Sequence, residues 1–162
     1  MSLSESSPSW YLADIVEVIT VEDDARNVVH INTVLISATS SNEAFDKALK
    51  IGRTANSRYQ NPEGKAVQIE FRGLKELSLV EEPLEDGAEI AWTELVSVPE
   101  AEIAESVRPK EELSVFASRR VGLGKPNYLS SEIALELQAR GFTREEIESF
   151  RAGPTPPEEP RK

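Results

Sequence analysis

The chain reads as an α+β protein: an antiparallel or mixed five-stranded sheet in the order β-β-α-β-β-β, one main helix packed on it, and a C-terminal helical appendage. Three observations predict this. Residues 10–38 hold two runs dense in β-branched and aromatic residues, joined by a short polar turn. Residues 40–59 hold a helix-capping signal followed by apolar residues at helical spacing. Residues 66–98 hold three more strand-like runs separated by turn residues, and short polar turns between strands favour antiparallel pairing.

Residues 1–9, Ser-rich with one Pro, are expected to be disordered. In the first strand Leu12, Val16 and Val18 alternate with Ile15, Ile19 and Val21, so both faces carry apolar residues and both call for cover. In the second, Val29, Ile31 and Leu35 lie opposite His30, Val34 and Ile36. Glu22-Asp23-Asp24-Ala25-Arg26-Asn27 turns between them. Ser40 and Glu43 form a capping box for a helix expected to run to about Tyr59, with Ala44, Phe45, Ala48, Ile51, Gly52 and Ala55 as its buried stripe. Glu43 with Lys47, and Asp46 with Lys50, have the favourable i,i+4 order. Asn61-Pro62-Glu63-Gly64 is a turn. Val67, Ile69 and Phe71 then alternate with polar residues, Gly73 interrupts, Leu74–Val80 makes a fourth strand, and Ala88–Val98 a fifth with Ile90, Trp92 and Val96 facing inward.

Trp10-Tyr11-x-Ala13, Val28-Val29-His30-x-Asn32-Thr33-x-Leu35-Ile36, Asn61-Pro62-Glu63-Gly64 and Phe71-Arg72-Gly73-Leu74 together resemble a family known only as domain of unknown function 4288, over about residues 10–98. The resemblance implies a small bacterial α+β domain and no particular activity.

Residues 99–128 read as a helix starting at Pro99, stopped before Arg108-Pro109, and a linker through Val121–Asn127; Glu111–Arg120 fits helix or strand equally. Residues 129–152 read as a helical hairpin. Ser130 starts its first helix, Gly141 ends it, and Thr143 with Glu146 caps the second. So small a unit cannot hold a core alone. Ile133, Leu137, Phe142, Ile147 and Phe150 are therefore its docking residues, towards the sheet, a second copy or a partner. Residues 153–162, rich in Pro and Glu, are expected to be disordered.

A net charge of −11 weighs against nucleic acid and anionic membranes as partners. Residues 1–98 carry 17 acidic and 8 basic side chains, net −9, and residues 99–162 carry 12 and 10, net −2, so the acidity belongs to the sheet region. The absence of cysteine excludes disulfides and thiol chemistry and suits the cytoplasm. The N-terminal residues lack the basic and apolar regions of a signal peptide, and no apolar run approaches the roughly 20 residues of a membrane span.

His30, the only histidine, is the sole candidate general base, though no Ser-His-Asp signature surrounds it. Trp10, Tyr11 and Trp92 could frame an aromatic pocket if the strands bring them together. Asp23 and Asp24 offer carboxylates at a hairpin tip, without the spaced acids and glycine of a calcium loop. Gly122-x-Gly124-Lys125 fails as a phosphate loop, lacking its first glycine and the Ser or Thr after Lys. Neither metal nor cofactor is indicated. The leading expectation is a non-enzymatic protein-binding module, an inhibitor or immunity-type protein whose acidic surface meets a basic partner, or a homodimer. The alternative is a small ligand-binding domain or enzyme with a cleft near His30 and the hairpin carboxylates.

Overall fold

The computed structural model describes residues 8–116 and 125–150, with side chains as far as Ile147. Of the disorder expected for residues 1–9, residues 1–7 fall outside that range, whereas Ser9 begins β1; the expected disorder of residues 153–162 and most of the expected linker also fall outside it. The described elements are β1 (Ser9–Val21), β2 (Asn27–Ala38), α1 (Ser41–Thr54), β3 (Ser57–Gln60), β4 (Ala66–Val80), α2 (Glu100–Ser106), α3 (Ser131–Ala139) and α4 (Arg144–Phe150), with a single 3₁₀ turn at Lys110–Glu112. The strands form one antiparallel sheet in the order β2-β1-β4-β3. The α+β architecture with one main helix on an antiparallel sheet is as expected. The sheet has four strands rather than five.

Three local differences account for the change. First, α1 ends at Thr54, not near Tyr59. The Thr54 hydroxyl turns back to the Ile51 carbonyl (2.6 Å), and the Asn56 side chain accepts the Phe71 N–H (2.7 Å). Asn56 thereby extends the ladder that Ser57–Gln60 makes with β4, and what looked like the last helical turn is β3. Second, Gly73 does not interrupt a strand. The β1–β4 register skips Lys75 and Arg72, so β4 carries an extra residue at each, with Gly73 between them at φ +140°. The two bulges place Leu77, Leu74 and Phe71, spaced by three, opposite Ala13, Ile15 and Glu17 on one face. Third, residues 88–98 have strand composition but make no ladder among the described residues.

The core explains the pairing. Strand alternation puts Tyr11, Ala13, Ile15, Ile19 and Val21 on one face of β1, and all are buried. At one end of that face α1 packs on Tyr11, Ala13, Ile36 and Ala38 through Ala44 and Ala48. At the other end Ile19, Val21 and Val67 meet Tyr59 and Tyr128. Both α1 and the C-terminal segment thus share one face. The opposite face keeps Trp10, Val29, Ile31 and Leu35 substantially exposed, although two-sided cover was expected. The helix stripe is also narrower than expected: Ala44, Ala48 and Gly52 are buried, Phe45 and Ile51 are not. A β-carbon on Gly52 would lie 2.3 Å from the Phe71 ring, so the small residue sets how closely the helix approaches.

The capping signals form as read. Ser40 Oγ accepts the Glu43 N–H (3.2 Å), while the Glu43 carboxylate accepts from the Thr39 N–H (2.7 Å) and pairs with Lys47 (2.6 Å). The Lys47 ammonium, then the Thr39 hydroxyl and N–H, hold the Glu43 carboxyl down at about 2. Among the described residues Asp46 and Lys50 close no such pair. Ser130 caps α3, the Phe142 N–H reaches the Leu137 carbonyl (3.1 Å) past Gly141 at φ +90°, and Thr143 and Glu146 bond reciprocally. Among the described residues no helix is long and apolar enough to cross a membrane.

Candidate functional site

A pocket of about 500 Å³ opens where the C-terminal segment crosses the sheet. Its floor takes one side chain from each strand: Ile19 of β1, His30 of β2, Tyr59 of β3 and Ile69 of β4. Register and alternation put all four on the covered face. Tyr128 and Leu129 with Ser130, Glu132 and Ile133 at the start of α3 form the other wall.

The wall hangs on the turn between β3 and β4. Asn61 is buried, and its side chain is fully used: Oδ1 accepts the Glu63 (3.1 Å) and Lys65 (2.9 Å) N–H groups, and Nδ2 donates to the Asn127 carbonyl (2.8 Å). The Tyr59 hydroxyl donates to the Tyr128 carbonyl, and Ser131 Oγ donates to the Gln60 carbonyl (3.0 Å). Asn127 Nδ2 returns a bond to the Glu63 carboxylate. Gly64 at φ +77° closes the turn, its N–H on the Asn61 carbonyl (2.9 Å). Four residues of one turn region thus bind the backbone and side chains of residues 127–131, and backbone groups that would otherwise be stranded are satisfied.

His30 stands against Tyr128 edge to face, ring centroids 5.7 Å apart at 81°. Glu17 is its cross-strand neighbour in β1, on the same face. Among the described residues the imidazole makes no hydrogen bond or ion pair, so its two nitrogens are open to whatever enters the pocket. Tyr59 differs. Burial, then the neighbouring Tyr128 phenol, pushes its hydroxyl pKa upward, so it remains a protonated donor committed to a backbone carbonyl.

The other predicted site residues lie elsewhere. Tyr11 is buried beneath α1, Trp10 points from the opposite face, and Trp92 is 72% exposed, so the three frame no common pocket. Asp24 is engaged by Arg26, which donates its side chain (2.9 and 2.7 Å) and then its backbone N–H (3.0 Å) and holds the carboxyl down at about 2. Asp23 lies 3.8 Å from Lys65. Among the described residues no three His, Cys, Asp or Glu gather as metal ligands. Of the hairpin residues, Ile147 is buried, Leu137 half-buried, Phe142 exposed, and Ile133 lines the pocket at half exposure; the Phe150 side chain lies outside the described residues. Tyr59, Tyr128, Leu129 and Glu132 were not singled out from the sequence. One signal was there: Leu129 precedes the Ser130 cap and Ala134 follows it at the spacing of a hydrophobic staple, which marks an anchored helix entry.

The sequence model of the family described as Domain of unknown function (DUF4288) matches residues 10–92, half of the chain, and the protein belongs to that family. The match takes in every strand and α1, and stops short of residues 128–133. No curated protein and no solved structure matches the chain.

Proposed function

We propose that the protein binds a small amphipathic molecule between its sheet and the 128–133 segment, with His30 as the polar contact. The observation that carries this is an imidazole that makes no hydrogen bond or ion pair among the described residues and opens onto a mostly apolar pocket. At about 500 Å³ the space is within the range of small-molecule sites, about 300–1,000 Å³. Ile19, Ile69, Leu129 and Ile133 suit an apolar body. Glu132 at the wall and Glu17 beside His30 disfavour an anion, so the polar end is neutral or cationic. Binding is favoured over catalysis because Tyr59 is already engaged and no described hydroxyl or acid bonds the imidazole. The charge-based reading, a basic protein partner, has the −9 of residues 1–98 in its favour, but the hairpin-tip acid Asp24 already serves Arg26.

The single histidine makes the test direct. A screen of neutral and cationic amphipathic fragments, followed through the His30 ring signals by NMR, should give hits that shift those signals. His30→Ala should weaken such hits about tenfold, the worth of one hydrogen bond. Hits that leave the ring signals unmoved, or no hits at all, would overturn the proposal.

A further inference from the structure

We infer that two copies of the chain pair about a two-fold axis, residues 88–96 of each adding as a strand to the free edge of β2 in the other. Two unmatched features of one chain lead there.

The first is the β2 edge. β2 ends the sheet order, so among the described residues one side of its 12 residues has no neighbouring strand. Edges left open in monomers are shortened or interrupted by Pro, Lys or bulges, because unpaired backbone groups recruit other strands. The opposite edge follows that rule: β3 has four residues. β2 does not. It contains no Pro, Gly or Lys and pairs with β1 without a register shift. It also turns Val29, Ile31 and Leu35 outward at 44–51% exposure.

The second is the 88–96 segment. The period of two would put Ile90, Trp92 and Val96 on one side of a strand, yet with Leu95 they are 52–79% exposed. The segment starts from a closed turn, with the Ala88 N–H on the Glu85 carbonyl (3.1 Å) and the Glu89 N–H on the Glu82 carboxylate (2.9 Å), and stops at Ser97, which sits at φ +60°. It has the composition of a strand, defined ends, and no ladder among the described residues.

A second copy supplies what each feature lacks, and a two-fold arrangement satisfies both twice. Aligning Ile90, Trp92 and Val96 with Val29, Ile31 and Leu35 is allowed by the period of two and extends one apolar surface. The lack of charged side chains on β2 leaves Glu89 and Glu94 of the incoming strand unopposed by like charge.

Sedimentation of the full chain should show a dimer. Trp92→Glu in the segment, and Ile31→Lys on the edge, should each raise the dissociation constant about a hundredfold or more, as for an interface centre. Both positions are exposed, and unchanged circular dichroism would certify the fold of each variant. Because the chain has no cysteine, Trp92→Cys and Ile31→Cys chains can be mixed and oxidised, and a disulfide between unlike chains should form. A monomeric wild type at tens of micromolar, a dimer surviving either charge substitution, or no mixed disulfide would overturn the inference.

Discussion

The two ends of the covered sheet face are closed in different ways. Under α1 the contact is apolar and close: Ala44, Ala48 and Gly52 bring the helix down on Tyr11, Ala13 and Phe71. Under the C-terminal segment the contact is polar and peripheral: Asn61, Tyr59 and Ser131 hold the backbone at one side, and a cavity of about 500 Å³ remains beneath. Small side chains on a helix remove space, whereas a segment hung from hydrogen bonds at its rim preserves it. Sealing and holding are separate tasks, and this sheet assigns them to different elements.

Asn61→Ala should break the contrast hardest. It leaves two turn amides and the Asn127 carbonyl without their partner, a loss of about 2–4 kcal/mol at the usual cost of unsatisfied buried groups. Limited proteolysis should then cut within residues 125–147 while α1 stays protected; equal protection at both ends would refute the division. Ala48→Leu attacks the sealed end. Overpacking there should cost about 1–3 kcal/mol in urea unfolding, with the His30 ring signals unchanged because the pocket is not involved. Tyr59→Phe removes one bond from the hung end and should cost about 1 kcal/mol, seen as faster hydrogen exchange in α3 rather than a shifted global midpoint.

The mildest effect is on pH dependence. Glu43 is held at about 2, below its ordinary 4.5, so the unfolded chain takes up its proton first. Its contribution to α1 is therefore complete above about pH 4.5 and lost as the pH falls towards 2. Acid unfolding curves of wild type and Glu43→Gln should differ near neutrality and converge at low pH. Parallel curves down to pH 2 would place the Glu43 contribution elsewhere.

The sealed end was largely legible in the sequence and the hung end was not. Ser40 with Glu43 and the alternation of β1 and β2 are local signals whose physics is complete within a few residues. β4 read as two strands because Leu77, Leu74 and Phe71 face the core at intervals of three, a spacing that only the bulges at Lys75 and Arg72 make compatible with a single strand. β3 hid because Ser57–Gln60 has no alternation of its own and owes its state to β4. Residues 88–98 misled in the other direction, having the composition of a strand without a ladder among the described residues. Of the pocket's lining only His30 and Ile133 were among the predicted site residues. Its other wall comes from residues about 100 positions further along, tied on by side chains bonding to backbone carbonyls, and a carbonyl carries no sequence identity.

The family match spans the floor of the pocket and stops before its far wall. Substitutions at Tyr128, Leu129, Glu132 or Ile133 would change the shape of the cavity without touching a strand or α1. The hooks from Asn61 and Ser131 reach backbone carbonyls, so they tolerate such exchanges. The molecule thus separates the strands and helix that make its fold from the side chains that close the far wall of its cavity.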